Sequence, residues 1–376
     1  MRRYFIFILF FACANASLAL PRFSILTGMS CNNCHVNPTG GELRNNFGGS
    51  DFVDDHLRMV PAHGDSTDFN FNPQINDDIL IGGDVRFQYL YDGDVKSSTF
   101  QSMEGSLYSL VRLFESTDVF VKYDFANTAY EAYGLYKFNS DNSYVKFGAF
   151  APSYGIRLDD HTAYTRGGNL GFLQGLPQVG LFFVPDYRDL GVEVGSKFGD
   201  LFVTVDGTNG DGLSNIDFNS GKAIIGRVEY LLKGPFNFVI GASGYAAGKT
   251  KVPSGPSVAG PTMFGLHAGA GIGEQLTILG EFDWAKSLPN VLPADSKSNA
   301  AFVEVTYEIS NGLFAVGRYD YFKTDTGGPM YARYIVGLNV YPIPHLDFMP
   351  QVRFNTTNLS GASQPVEALI QSHIYF

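Results

Sequence analysis

From about residue 76 to the C-terminus, the chain alternates apolar and polar residues with a period of two. Asp84-Val85-Arg86-Phe87-Gln88-Tyr89 shows the pattern, as do Val119 to Phe125, Leu201 to Asp206 and Ala301 to Ile309. A period of two is a strand signal. One face of each run is apolar and the other carries charges as well as neutral groups. A sheet of that kind fits a wall with lipid on one side and a wet lumen on the other. Helical spans are excluded, because no apolar run of about 20 residues follows the N-terminus. Disorder is excluded by the aromatic content of 15%, with 33 Phe and 21 Tyr.

The connections sharpen this reading. Short turns fall near 115–118, 139–143, 199–200, 233–235, 273–274, 310–312 and 342–345. Longer polar segments lie between them, near 92–99, 126–130, 152–187, 207–221, 246–261, 286–298, 324–330 and 356–365. Seven short and eight long connections imply about 16 strands. Outer-membrane barrels have an even strand number, short periplasmic turns and long outer loops. The last residues, Ala368 to Phe376, place apolar side chains at alternate positions and end on an aromatic ring, as a closing barrel strand does. A propeller would show repeats of about 40 residues, and none is found. A secreted sandwich rarely needs eight long loops on one side. The expected fold is all-β: an outer-membrane antiparallel β-barrel over 76–376, preceded by a small N-terminal segment.

That segment is preceded by an export signal. Arg2 and Arg3 form a basic start, Tyr4 to Ala12 is apolar, and Ser17-Leu18-Ala19 offers a cleavage site, so 1–19 reads as a signal peptide. Cleavage leaves two of the three cysteines, Cys31 and Cys34, and 24 basic against 37 acidic residues. So acidic a chain argues against nucleic acid as a partner.

Cys31-Asn32-Asn33-Cys34-His35 is the attachment signature of a c-type haem. Two thiols one turn apart can add to the two vinyl groups on one porphyrin edge, and the adjacent histidine then reaches the iron as proximal ligand. A zinc site would need four ligands, and no further cysteine remains to close it. A redox dithiol would want a βαβ context, which is missing. Residues 20–66 therefore read as a monohaem cytochrome c segment. At that size a core needs a staple, and the porphyrin would be it. For the opposite axial position His56 is preferred over Met59 and His63, since Asp54 to Met59 reads as a short helix with His56 and Met59 near one face. Met29 is too close in sequence to fold over the far side.

Residues 150–187 form the longest connection, after the fifth strand, and a loop of that length suggests function. One reading has it fold inward and narrow the pore as a plug. Asp159, Asp160 and His161 suit ferrous iron. A loop tied down by Arg–Asp pairs is the preferred reading.

Thr27-Gly28, the Cys31 to His35 motif and the whole-chain order of signal, haem segment and barrel resemble the fused monohaem cytochrome–porins of the outer membrane, best known from iron-oxidising bacteria. The resemblance implies electron transfer across the outer membrane, between a redox-active metal outside and a periplasmic carrier. The chain's acidity would suit a basic carrier, such as a cytochrome. The competing expectation is a diffusion porin or transporter whose haem segment senses or gates. A lumen of about 16 strands has room for a small domain. Residues 20–66 are thus expected to enter it as a plug, bringing the haem edge toward the outer mouth.

Overall fold

The computed structural model describes residues 21–59, 71–140, 142–158, 160, 162–168, 179–213, 221–248, 260–288, 295–325 and 328–376. The expected signal peptide lies outside the described residues, as do His63, Asp159 and His161.

A short strand β1 (Gln74–Asn76) leads into β2 (Ile79–Asp92), β3 (Ser97–Phe114), β4 (Thr117–Asp124), β5 (Ala129–Phe138) and β6 (Ser143–Phe150). After the long connection come β7 (Asp189–Phe198), β8 (Leu201–Thr208), β9 (Ala223–Leu232), β10 (Phe236–Ala247), β11 (Thr262–Ile272) and β12 (Leu276–Lys286). The sheet ends with β13 (Lys297–Ser310), β14 (Leu313–Thr324), β15 (Met330–Ile343), β16 (Leu346–Thr357) and β17 (Val366–Tyr375). From β2 to β17 each strand pairs antiparallel with the next. The sheet closes where β17 meets β2, from Glu367 opposite Asp92 to Tyr375 opposite Asp84. The barrel thus has 16 strands, as the turn spacing implied, and β1 adds only a short extension beside β2.

The wall is inverted relative to a water-soluble protein. In β4, Asp118, Phe120, Lys122 and Asp124 are buried toward the lumen, while Val121 and Tyr123 are exposed outward. In β12, Glu281 and Asp283 face in and Trp284 faces out. Exposed aromatics ring both rims. Phe114, Phe138, Phe198 and Phe236 sit at the short-turn end, and Phe100, Phe125, Phe264 and Trp284 lie toward the long-loop end. An apolar belt between aromatic girdles on a closed barrel is built for an outer membrane, with the short turns on the periplasmic side.

Described residues of the N-terminal segment enter the lumen. Helix α1 (Pro21–Thr27), a 3-10 turn (Cys31–Asn33), a π-turn (Phe47–Asp51) and helix α2 (Phe52–His56) lie inside the barrel at its short-turn end. Glycines in β11 make the seat for α1. A Cβ at Gly271 would fall 2.6 Å from the Ile25 carbonyl oxygen. The backbone amide of Met59 donates to the Tyr341 carbonyl at 2.8 Å, which ties the end of the segment to the wall. The expectation of a plug agrees with this arrangement. Its expected height does not: the cysteine turn lies at the periplasmic end rather than toward the outer mouth, with Cys31 beside short-turn residues Lys197, Asp200 and Lys233.

Three apolar clusters join segment to wall. Phe23, Phe52, Val53 and Leu57 pack with Phe314, Tyr341 and Tyr375. Leu43 joins Leu80, Tyr108 and Phe120, and Ile25 joins Val239, Leu279 and Phe302. Above them the long connection after β6 folds inward. The hydroxyl of Tyr154 donates to Asp283 at 2.9 Å, and the amide of Ile156 donates to Glu281 at 2.6 Å. Arg166 completes that anchor, with Nη1 3.0 Å from Glu281.

Candidate functional site

The cysteine motif is shaped by its own backbone. Ser30 is extended (φ −98°, ψ 158°), and the chain then makes one 3-10 turn. The amides of Cys34 and His35 both donate to the Cys31 carbonyl, at 3.3 and 3.1 Å. The two thiols therefore stand one turn apart with the histidine directly following. A second run of chain braces the turn. Val36 donates to the Leu43 carbonyl at 3.2 Å, Asn45 to the Cys34 carbonyl at 2.9 Å, and the Asn45 side-chain amide to the Asn33 carbonyl at 2.8 Å. His35 and Arg44 are paired across this small bridge. The glycines that mark turns in the sequence also allow close approach. A Cβ at Gly48 would lie 2.3 Å from the Cys34 carbonyl oxygen. One at Gly40, where φ is +85°, would lie 3.2 Å from the Cys31 sulfur.

His35 is buried, and its Nδ1 lies 3.3 Å from the Glu42 carbonyl oxygen. A ring that donates through Nδ1 carries its lone pair on Nε2. That is the orientation a metal-ligating histidine takes from its outer-shell partner.

The side chain of Glu42, whose backbone φ is +61°, fixes that carbonyl. Its carboxylate meets three cations: Lys122 of β4 at 2.7 Å, Arg188 at 2.8 Å and Arg157 at 3.1 Å, the last two from the inward connection. Arg157 also donates to the Gly40 carbonyl at 2.8 Å. Burial acts to raise the Glu42 carboxyl, but Lys122, Arg188 and Arg157 overcome it and hold the group down at about 2. One carboxylate thereby locks the cysteine segment, the wall and the inward connection together.

Between segment and connection lies a cavity of about 380 Å³, onto which Cys31, Cys34 and His35 all open. That volume is in the range of cofactor pockets, about 300–1,000 Å³. The residues present fit a covalent haem: two thiols one turn apart, an oriented imidazole beside them, and glycines that bring the chain close on both sides. A dithiol redox centre fits less well. Burial, aided by Glu229, pushes the Cys31 thiol up to about 11, away from the thiolate such chemistry uses.

Of the expected distal ligands, His56 and Met59 are not brought to this cavity. His56 is exposed at the end of α2 with its ring against Phe52, at 4.9 Å between centroids. Met59 is 43% exposed. The reason is local. Phe52, Val53 and Leu57 turn the apolar side of α2 inward, and Leu57 leaves the helix (φ −119°, ψ 52°), so the polar side faces out. His63 lies outside the described residues. Among the three proposed iron ligands of the long connection, only Asp160 is described. It accepts from Thr162 at 2.8 Å and pairs with Arg318 at 3.3 Å, the Arg–Asp tie-down that is the preferred reading of this loop. Among the described residues no cluster of three or more His, Cys, Asp or Glu side chains is set to hold a metal ion.

No protein-family model and no curated protein matches the sequence. Solved structures do match. The outer membrane channel DcaP of Acinetobacter baumannii superposes with a TM-score of 0.55 at 14% identity, over 79% of this chain and 97% of that one. OprB of Pseudomonas putida gives 0.59 at 11% identity, over 80% and 94%. The anion-selective porin of Comamonas acidovorans gives 0.54 at 12%, over 79% and 98%. The chain has the porin-like barrel fold.

Sequence reasoning found Cys31, Cys34 and His35 but missed Glu42, Arg22 and Arg44, which line the same cavity. A signal was there to be read. A segment destined for a lumen has few charged side chains, and each that enters must meet a partner.

Proposed function

We propose that the chain is an outer-membrane electron-transfer barrel that carries one covalent haem c on Cys31 and Cys34, with His35 as the proximal ligand. The observation that carries this reading is the cysteine turn inside the lumen, with both thiols and the imidazole opening on one cavity. A haem held there would supply a one-electron iron couple. The chain's own residues do the rest: Glu42 orients His35 and anchors the segment, and the wall and the inward connection exclude water around it. The acidic side chains Asp51 and Asp55 are exposed at the short-turn end, which favours a basic periplasmic carrier as partner. A redox-active metal outside is the proposed exchange partner at the other face. The test is a pyridine haemochrome assay on the purified full-length protein. It is followed by optical redox titration with ferrous iron, a periplasmic cytochrome and a quinol analogue. A haem signal that none of the three reduces or oxidises would reject the conduit.

A second reading is a diffusion channel gated by the same segment. It is favoured by the comparisons, since the proteins of similar fold include a channel and an anion-selective porin. Conductance in planar bilayers separates the two. A steadily open pore in the haem-loaded protein supports the channel, and a closed one the conduit.

A further inference from the structure

The segment carries three arginines among its described residues: Arg22, Arg44 and Arg58. Arg58 pairs with Asp54 on the next turn at 3.2 Å. The three cations around Glu42, namely Lys122, Arg157 and Arg188, share its carboxylate. Arg22 and Arg44 do not: no carboxylate of the described residues stands within 4.0 Å of either guanidinium. Both line the cavity of Cys31, Cys34 and His35.

The groups in direct contact with them are neutral, and the carboxylates of Asp347, Glu304 and Asp84 act on them only from farther off. Arg22 donates to the Tyr341 hydroxyl at 2.7 Å, and its guanidinium stacks on Phe23 and Phe314, at 5.0 and 5.8 Å from the ring centres. Its Nε is buried with no hydrogen-bond partner. Arg44 lies over the Tyr375 ring at 4.1 Å. Its pairing with His35 across the small bridge puts the two side chains on the same side of that bridge. Tyr341 and Tyr375 belong to one buried cluster, so the two guanidiniums converge on one part of the cavity wall. Both arginines are half-buried on the wall of one cavity, where a guanidinium with no carboxylate in direct contact can take up an anionic group. Guanidinium is the side chain suited to carboxylates, which it meets in a fork.

We propose that Arg22 and Arg44 form the site for the two carboxylates of the ligand in this cavity. Given the haem reading, on which this inference rests, these are the two propionates of haem c. The arginines anchor the porphyrin edge away from the thiols, and their charge sets the potential of the iron.

The test compares wild type with Arg22→Gln, Arg44→Gln and the double variant, each as the full chain. Folding is checked by heat-modifiable gel migration and loading by pyridine haemochrome. Removing positive charge beside the haem favours the oxidised state. Each Gln variant is therefore expected to have a lower midpoint potential, and the double variant the lowest. The propionate band in infrared redox-difference spectra is expected to move with them. Arg22→Lys and Arg44→Lys keep the charge and should restore most of the potential. They also stand in if a Gln variant does not fold. Loaded, folded Gln variants with wild-type potential and an unmoved propionate band would overturn the site alone. A wild type without a haemochrome signal would overturn the haem reading, and the site with it.

Discussion

Glu42→Gln removes the charge that three cations share and leaves the shape nearly unchanged. Breaking a buried ion pair by neutralising one partner costs about 3–5 kcal/mol. Here the low end applies, because the cations keep other acceptors. Lys122 retains Glu104 at 2.7 Å, and Arg188 retains Glu131 at 2.9 Å. The loss falls on the docking of the segment, since neither of those pairs involves it. At about 3 kcal/mol the undocked fraction rises about a hundredfold, with each 1.4 kcal/mol worth a factor of ten. Limited proteolysis reads that fraction when opening and closing are fast relative to cleavage. Cleavage within residues 21–59 should therefore speed up by about two orders of magnitude, while the barrel stays intact on gels. A cleavage rate within about threefold of wild type would refute the lock. So would equal acceleration by a charge-neutralising change at an exposed carboxylate such as Asp55.

The same carboxylate gives a pH dependence. Its folded value of about 2 lies below the ordinary 4.5, so its contribution is complete above pH 4.5 and disappears as pH falls toward 2. Bilayer conductance should rise across that window in wild type, and the step should be absent in Glu42→Gln. Cys31→Ala with Cys34→Ala should abolish the pyridine haemochrome signal while heat-modifiable migration persists. His56→Ala should leave the optical spectrum of the loaded protein unchanged, because the ring faces outward; a shift toward high spin would return His56 to the iron. Gly271→Ala places a Cβ against the Ile25 carbonyl, and overpacking of about 1–3 kcal/mol should again appear as faster proteolysis of the segment.

The barrel was legible because its determinants are local and repeated. Alternation in β4 or β13 needs only neighbouring residues, and turns such as Gly199-Asp200 or Gly273-Glu274 are written in the residue types that make them. The cysteine turn was legible because Cys31, Cys34 and His35 lie within five consecutive residues, so their spacing alone brings them together. The pairing of charges was not legible. Lys122 and Arg188 read as lumen-facing or loop cations, and nothing near them in sequence points to Glu42, 80 and 146 positions away. The placement of His56 failed for a related reason. An i, i+3 pattern says which residues share a helix face, but not which face turns to the wall. Phe52, Val53 and Leu57 decided that by packing on Phe314 and Tyr341.

A run of about 40 residues is too short to bury a core of its own. Residues 21–59 avoid the problem by borrowing one: Ile25 and Leu43 each enter a cluster whose other members belong largely to the wall, and Phe52 enters one in which Phe314, Tyr341 and Tyr375 of the wall complete the segment's own apolar residues. The borrowed core explains why the wall is not uniformly polar inside. Leu80, Phe120, Leu279 and Phe314 are apolar, buried and on strands, where an open water-filled pore would carry polar groups. Some polar inward residues meet charge that the segment or the inward connection presents, as Lys122 does Glu42 and Glu281 does Arg166, and others pair across the wall, as Lys146 does with Glu193. Both features follow if the lumen evolved around its contents. A wall of this kind stabilises the segment in the docked state, so an open pore requires that several apolar side chains and one triply paired carboxylate lose their partners together.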